Sequence, residues 1–271
     1  MIVSVSRRCD IPRFQFDWFM TLLDKGFVET SNPYNANQVR RVSLLPDDVD
    51  AFIFWTRDPS RVLANADELR KCGFSFYVMV SLTGYPDALE SNQIPALDAV
   101  KSIKDLSRKI GPDRVIWRYD PLILTSVTND EFQRVNFAEL ARNLSGYVKR
   151  VIVSVYDEYK SAAKRLATLE RDKKIKSLNM DEDILRGILH DFSKSASAAG
   201  MEIQSCAEKE DYSSIGVKPG ACVDAALLNK LFNLKPGVKD KNQRPNCLCQ
   251  KSVDIGVYGT CAAGCVYCYA W

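Results

Sequence analysis

Seven of the chain's nine cysteines fall in its last 66 residues, and the final three, Cys261, Cys265 and Cys268, form a C-x3-C-x2-C triplet close to the C-terminus. Three thiolates held this near one another in a single loop can each take one iron of a 4Fe-4S cubane. The triplet has no fourth cysteine, so one iron stays open for another ligand, and an open iron is a place for catalysis. Tyr267, immediately before Cys268, would shield such a cubane, and Gly264 would relieve crowding where the backbone wraps it.

The other clustered cysteines are Cys206, Cys222, Cys247 and Cys249. Four thiolates with no histidine nearby suit a second iron-sulfur cluster or a structural zinc, and unligated cysteines are the third reading. Cys9 and Cys72 read as small buried apolar residues. The single histidine, His190, sits beside Asp191 in a helical pattern and reads as a helix-surface or partly packed residue. No nucleophile elbow or phosphate-binding glycine loop accompanies it, which disfavours a hydrolase. Arg7, Arg8 and Asp10 follow one apolar run, and Arg118 and Asp120 follow another. They are either rim salt bridges or contacts to a ligand, for which an arginine pair could grip a carboxylate or phosphate bidentately.

These groups need a scaffold. Short β-branched or aromatic runs at 2–6, 51–55, 75–81, 115–118, 150–155, 201–205 and 253–257 read as strands. Most are separated by amphipathic stretches at 16–25, 61–72, 94–110, 129–146, 159–172 and 181–199. Strand-helix alternation with continuously apolar strands predicts an α/β fold, a parallel sheet covered by helices, as a complete or partial barrel of six to eight strands. Residues 32–38 with Pro33, the run after Arg171 and the basic stretch 235–245 read as loops, none long enough to separate one core from another, so residues 1–271 form one domain in which 206–271 carry the metal ligands. In a parallel barrel, reactive groups gather in the loops after the strands; the triplet follows the last predicted strand by a few residues.

The net charge of +3 is too mild to argue for nucleic acid. The N-terminus lacks a signal-peptide pattern and no segment is apolar for long enough to span a bilayer, so a cytoplasmic protein with no membrane partner is expected. Clustered cysteines in a reducing cytosol are more often metal ligands or redox groups than disulfides.

The triplet, with an aromatic before its last cysteine, resembles that of the radical S-adenosylmethionine (SAM) superfamily. Phe54-Trp-Thr-Arg-Asp-Pro59, Val80-Ser-Leu-Thr-Gly-Tyr85 and Trp117-Arg-Tyr-Asp-Pro121 resemble elements of its spore-photoproduct-lyase-like branch. The whole chain, from Ser6-Arg-Arg-Cys-Asp-Ile-Pro12 to the triplet, is similar to an uncharacterised bacterial family, a domain of unknown function. In most members of the superfamily the triplet follows the first strand. Here it follows the last, which a circular permutation of a TIM-like (β/α) barrel would leave in the same place, since first and last strands are neighbours.

The resemblance implies a 4Fe-4S cluster on Cys261, Cys265 and Cys268 whose open iron chelates SAM. Reductive cleavage of the sulfonium then yields methionine and a 5′-deoxyadenosyl radical that takes a hydrogen atom from an unknown substrate. Tyr267, Arg7, Arg8 and Asp10 would contact the cofactor, while Arg118 would bind an anionic group of SAM or substrate and Asp120 would orient it or bind a hydroxyl. An electron donor such as flavodoxin or ferredoxin is the implied partner, and nucleic acid enters by analogy alone. Two rival readings are an iron-sulfur electron carrier and a zinc-stabilised nucleic-acid-binding module using residues 235–251. The sequence ends at Trp271, ahead of any helix that would follow the triplet, which leaves room for a short C-terminal extension.

Overall fold

Strands form where apolar β-branched and aromatic residues run unbroken, and helices where the apolar period lengthens to three or four. The structure, a computed structural model, describes residues 1–32 and 35–270. Its elements in chain order are β1 (Ile2–Val5), α1 (Ile11–Phe14), α2 (Phe16–Lys25), β2 (Phe27–Asn32), β3 (Asn35–Ser43), β4 (Ala51–Thr56), α3 (Ser60–Lys71), β5 (Phe76–Ser81) and α4 (Ala96–Ile110). There follow β6 (Val115–Leu122), α5 (Asp130–Leu144), β7 (Arg150–Val155), α6 (Lys160–Lys173), α7 (Glu182–Ala198), β8 (Glu202–Cys206), β9 (Lys218–Gly220), α8 (Ala225–Phe232) and β10 (Val253–Asp254).

The main sheet has eight strands in the order β10-β1-β4-β5-β6-β7-β8-β9, each paired in parallel with its neighbours. Parallel strands require crossovers, and α3, α4 and α5 supply them between β4, β5, β6 and β7. The last strand lies beside the first, with Val3 opposite Val253 and Ser4 opposite Asp254.

Both faces of the sheet are apolar, as continuous strand hydrophobicity requires. Phe52, Phe54, Val78, Trp117 and Val153 pack under the helices. On α4 the matching stripe is Ala99, Val100, Ile103, Leu106 and Ile110, and Trp117 stacks on Phe137 of α5. The alternate residues Ile53, Trp55, Tyr77, Met79, Ile116 and Ile152 join Val223, Leu227, Leu228 and four cysteines in a second core on the opposite face. Helix α8 therefore plugs the face that the other helices leave uncovered. Asp224 caps it by accepting from Ala226 N at 2.8 Å and Leu227 N at 3.2 Å.

Three local expectations are corrected. Residues 32–38 do not form a simple loop: Asn32 ends β2 and 35–38 open β3, an antiparallel hairpin outside the main sheet, while Pro33 lies outside the described residues, as does Trp271. Its strands escape a pattern reading because, among the described residues, only Val28 and Val42 are buried. Cys72 is exposed, not packed. Helix α3 ends at Lys71, the chain turns through Gly73 at φ +86°, and Phe74 takes the buried position that follows Leu69. The run predicted at 253–257 pairs only over Val253 and Asp254 before it becomes loop. His190 is exposed on α7. No helix among the described residues is long and apolar enough to cross a membrane.

Candidate functional site

The loops at the C-terminal ends of the parallel strands surround a cavity of about 950 Å³. All seven clustered cysteines line it, together with Arg7, Arg8, Asp10, Arg118, Asp120 and Tyr267. The hairpin adds Thr30, Ser31, Asn32 and Arg40, and the strap between α8 and β10 adds Arg244 and Lys251.

The triplet loop begins where β10 meets β1. Asp254 accepts Ser6 Oγ at 2.6 Å and Arg7 N at 2.8 Å, joining the two strand ends. Gly259 N donates to Ala270 O at 2.9 Å and closes the loop on itself. The segment after β5 is its shelf: Glu90 and Cys265 form an antiparallel bridge, and Val266 N donates to Leu89 O at 3.0 Å. Gln93 Nε2 donates to Ala263 O at 3.0 Å and reaches Cys265 Sγ at 3.5 Å. Gly264 lies at φ +70°, and a Cβ there would stand 2.3 Å from Ser91 Oγ. The close approach that calls for glycine is thus to the shelf. From α6, Arg165 Nε donates to Val266 O at 2.9 Å and its Nη2 to Cys268 O.

Beneath this loop lies a buried polar network. Glu90 is paired with Arg57 at 2.9 Å and accepts the hydroxyls of Thr83 and Tyr267. Arg57 Nη2 also donates to Tyr267 Oη at 2.5 Å. Tyr267 is therefore anchored on both sides, and its ring meets Tyr85 edge-on with centroids 6.2 Å apart. Burial pushes the Cys265 thiol up to about 11, with Glu90 adding to the rise and Arg57 opposing it, and burial also raises Cys268. Such thiols keep their protons at neutral pH until a metal displaces them.

The second cysteine set lines the same cavity as the triplet. Cys206 ends β8, Cys222 follows β9, and Cys247 and Cys249 lie in the strap; all four are buried. Cys206 and Cys222 have sulfurs 3.6 Å apart, and Cys249 Sγ accepts Val223 N at 3.3 Å. Cys249 is the acceptor of the group, so its thiolate is favoured over those of Cys222 and Cys247. Among the described residues, no three or more His, Cys, Asp or Glu side chains are already gathered into a metal-ion site. The thiolates of a cubane each bind a different iron, so they need not meet around one point.

Arg118 and Asp120 share the plugged face of β6 and form a tight ion pair, with Asp120 also accepting from Ser154. Trp55 lies between two guanidinium groups, Arg118 at 4.9 Å and Arg7 at 5.5 Å from its ring centroid. Arg8 donates to Gly256 O at 3.2 Å and lies over Tyr258. Asp10 is committed to structure as well: it caps α1 by accepting Arg13 N at 3.0 Å, and accepts Arg57 N at 2.8 Å. Burial pushes its carboxyl up to about 6. Cys9, buried against the triplet loop, also reaches the cavity wall.

Sequence reasoning does not find Arg57, Glu90, Thr83, Arg165 or Arg244. Arg57 and Thr83 do fall in two of the quoted strand-end motifs, which is their available signal; Glu90, Arg165 and Arg244 carry none, because their partners are distant in the chain.

An α/β protein with a parallel sheet and a cysteine-lined cavity at its C-terminal strand ends is thereby defined. The chain belongs to a family described as a domain of unknown function (DUF1848), whose model matches residues 2–270. No curated protein matches it.

Proposed function

We propose that the chain is a radical SAM enzyme whose sheet forms a partial, circularly permuted (β/α) barrel, with the cluster loop moved to the C-terminal end. The observation that carries this reading is the meeting of the triplet and the other proposed site residues in one cavity beyond the ends of β1, β6 and β10. The donor set fits: three cysteines on one loop, facing a cavity with room for a further ligand, suit a 4Fe-4S cluster with one open iron. When bound, that cluster and SAM supply one-electron cleavage of the sulfonium and hydrogen-atom abstraction from a substrate.

The chain's own residues hold the loop and keep water away. Arg57, Glu90 and Thr83 anchor Tyr267 between Cys265 and Cys268, so that the buried ring walls the triplet off from solvent. Arg165 fixes the carbonyls of Val266 and Cys268. Thr30, Ser31, Asn32 and Arg40 of the β2–β3 hairpin border the cavity, where a substrate would enter. The four remaining cysteines would hold an auxiliary 4Fe-4S cluster or a structural zinc. An electron donor of the flavodoxin or ferredoxin kind would reduce the SAM-binding cluster.

Anaerobically reconstituted, reduced protein is expected to convert SAM to 5′-deoxyadenosine and methionine, and the Cys261→Ala, Cys265→Ala, Cys268→Ala variant is expected not to. Failure by a fully loaded, reducible protein, with no change in its electron paramagnetic resonance spectrum on adding SAM, would favour the electron carrier.

A further inference from the structure

Four buried cysteines brought together from three separate stretches of chain could be ordinary packing, but beside their apolar neighbours stand three guanidinium groups. Arg244 Nη2 lies 3.0 Å from Cys206 O and 3.9 Å from Cys206 Sγ. Arg7 and Arg118 flank Trp55, which belongs to the same core as the four cysteines. Their electrostatic neighbours include Cys222, with Cys249 for Arg7 and Cys206 for Arg118. Arg118 Nε is buried and has no acceptor. Each guanidinium already has one carboxylate: Arg7 has Asp254, Arg118 has Asp120 and Arg244 has Asp157. A guanidinium carries five N–H donors, so donors remain beyond the carboxylate: Arg7 Nη2 gives one to Ser252 Oγ at 2.5 Å, while Arg118 Nε has none to give to and is available to sulfur. Buried cations are costly beside neutral thiols and favourable beside thiolates.

We propose that Cys206, Cys222, Cys247 and Cys249 bind one anionic tetrathiolate metal centre, for which Arg7, Arg118 and Arg244 are built-in counter-cations. Binding a divalent ion to four thiols releases their protons to solvent and leaves a net charge of about −2. A cubane in place of the ion leaves the centre anionic as well. Thiolates that share one tetrahedral ion stand about 3.8 Å apart at a metal–sulfur length of about 2.3 Å. The 3.6 Å between Cys206 and Cys222 suits two ligands of a single ion, toward which Cys247 and Cys249 would have to close, and must widen for a cubane. Arg118 in this role offsets the charge of the second centre and does not anchor substrate. This centre does not depend on what the triplet does.

The test uses the full chain with Cys261, Cys265 and Cys268 replaced by Ala, purified anaerobically and offered zinc alone or iron with sulfide. Uptake of about one zinc, or of about four irons with cubane absorption, supports the centre and names its kind. In that background Arg7→Gln and Arg244→Gln are expected to speed metal release to a chelator on the order of tenfold. Arg244→Lys should recover part of the loss, and Arg171→Gln, on the exposed end of α6, should change nothing. A folded protein that takes up neither metal overturns the centre. Release rates equal to the parent's in both Gln variants overturn the role of the arginines.

Discussion

Glu90 has two jobs that pull on the same side chain. Its backbone pairs with Cys265, and its carboxylate is the only acid on Arg57 among the described ion pairs. Glu90→Gln would leave a buried guanidinium without its counter-charge, a loss of about 3–5 kcal/mol, whereas Tyr267→Phe removes one hydrogen-bonding hydroxyl and should cost about 1 kcal/mol. Chemical unfolding of the two variants checks the order; equal losses would mean that the ion pair contributes nothing beyond its hydrogen bonds. Asp10 gives a pH signature. Its carboxyl is raised to about 6 by burial, from 3.8, so between these values the folded chain binds the proton more tightly than the unfolded chain. The stability this group contributes is present at low pH and is lost as pH rises through about 6. Relative to Asp10→Asn, the parent should lose up to about 3 kcal/mol between about pH 4 and pH 7, measured by urea unfolding at each pH. A flat difference would show that Asp10 ionises as readily folded as unfolded.

At the scale of elements, the triplet loop is held by the shelf after β5, not by strand pairing, since β10 pairs with β1 over only two residues. Gly264 is where loop and shelf come closest. An alanine there must adopt φ +70° and displace Ser91, which should cost about 1–3 kcal/mol locally. Gly264→Ala is therefore expected to lower iron loading on the triplet while the far-ultraviolet circular dichroism stays that of the parent, because neither the sheet nor a helix depends on this residue. Iron loading equal to the parent's would show that the loop moves as a unit without needing the shelf. The plug is a second such device: α8 and the strap cover the face of the sheet that carries Trp55, Arg118 and Cys206, so the same segment that fills the core delivers Cys247 and Cys249.

For the whole molecule, two centres in one cavity predict a metal content. If both hold cubanes, the reconstituted chain carries about eight irons, and loss of the triplet removes about half; if the second holds zinc, the count is about four irons and one zinc. Anaerobic iron, sulfide and zinc analysis of parent and triplet variant reads this directly. Zinc with no iron in the anaerobic parent would end the cluster reading of the triplet. The sheet order makes such a cavity possible: strands first and last in the chain are neighbours, so Ser6 and Arg7 after β1 meet Asp254 at the end of β10.

The sequence by itself determined the alternation of strands and helices, the parallel sheet and the separation of the cysteines into a triplet and a set of four. These depend on periodicity and spacing, which are local. Helix α2 is legible at its observed bounds, and α4, α5 and α7 to within a few residues, because their apolar stripes are regular and Asn129 and Asp181 cap α5 and α7. The hairpin is not legible because most of its side chains face water. Tertiary structure alone decided that Glu90 would anchor Tyr267 from 177 residues away, and that both oxygens of Asp10 would accept backbone N–H groups. It also brought Arg244 to 3.9 Å from Cys206 Sγ and set Arg7 and Arg118 over Trp55, in the core that holds the four cysteines. A charge's partner is set by which strand ends the fold brings together, and residue spacing along one chain carries no record of that.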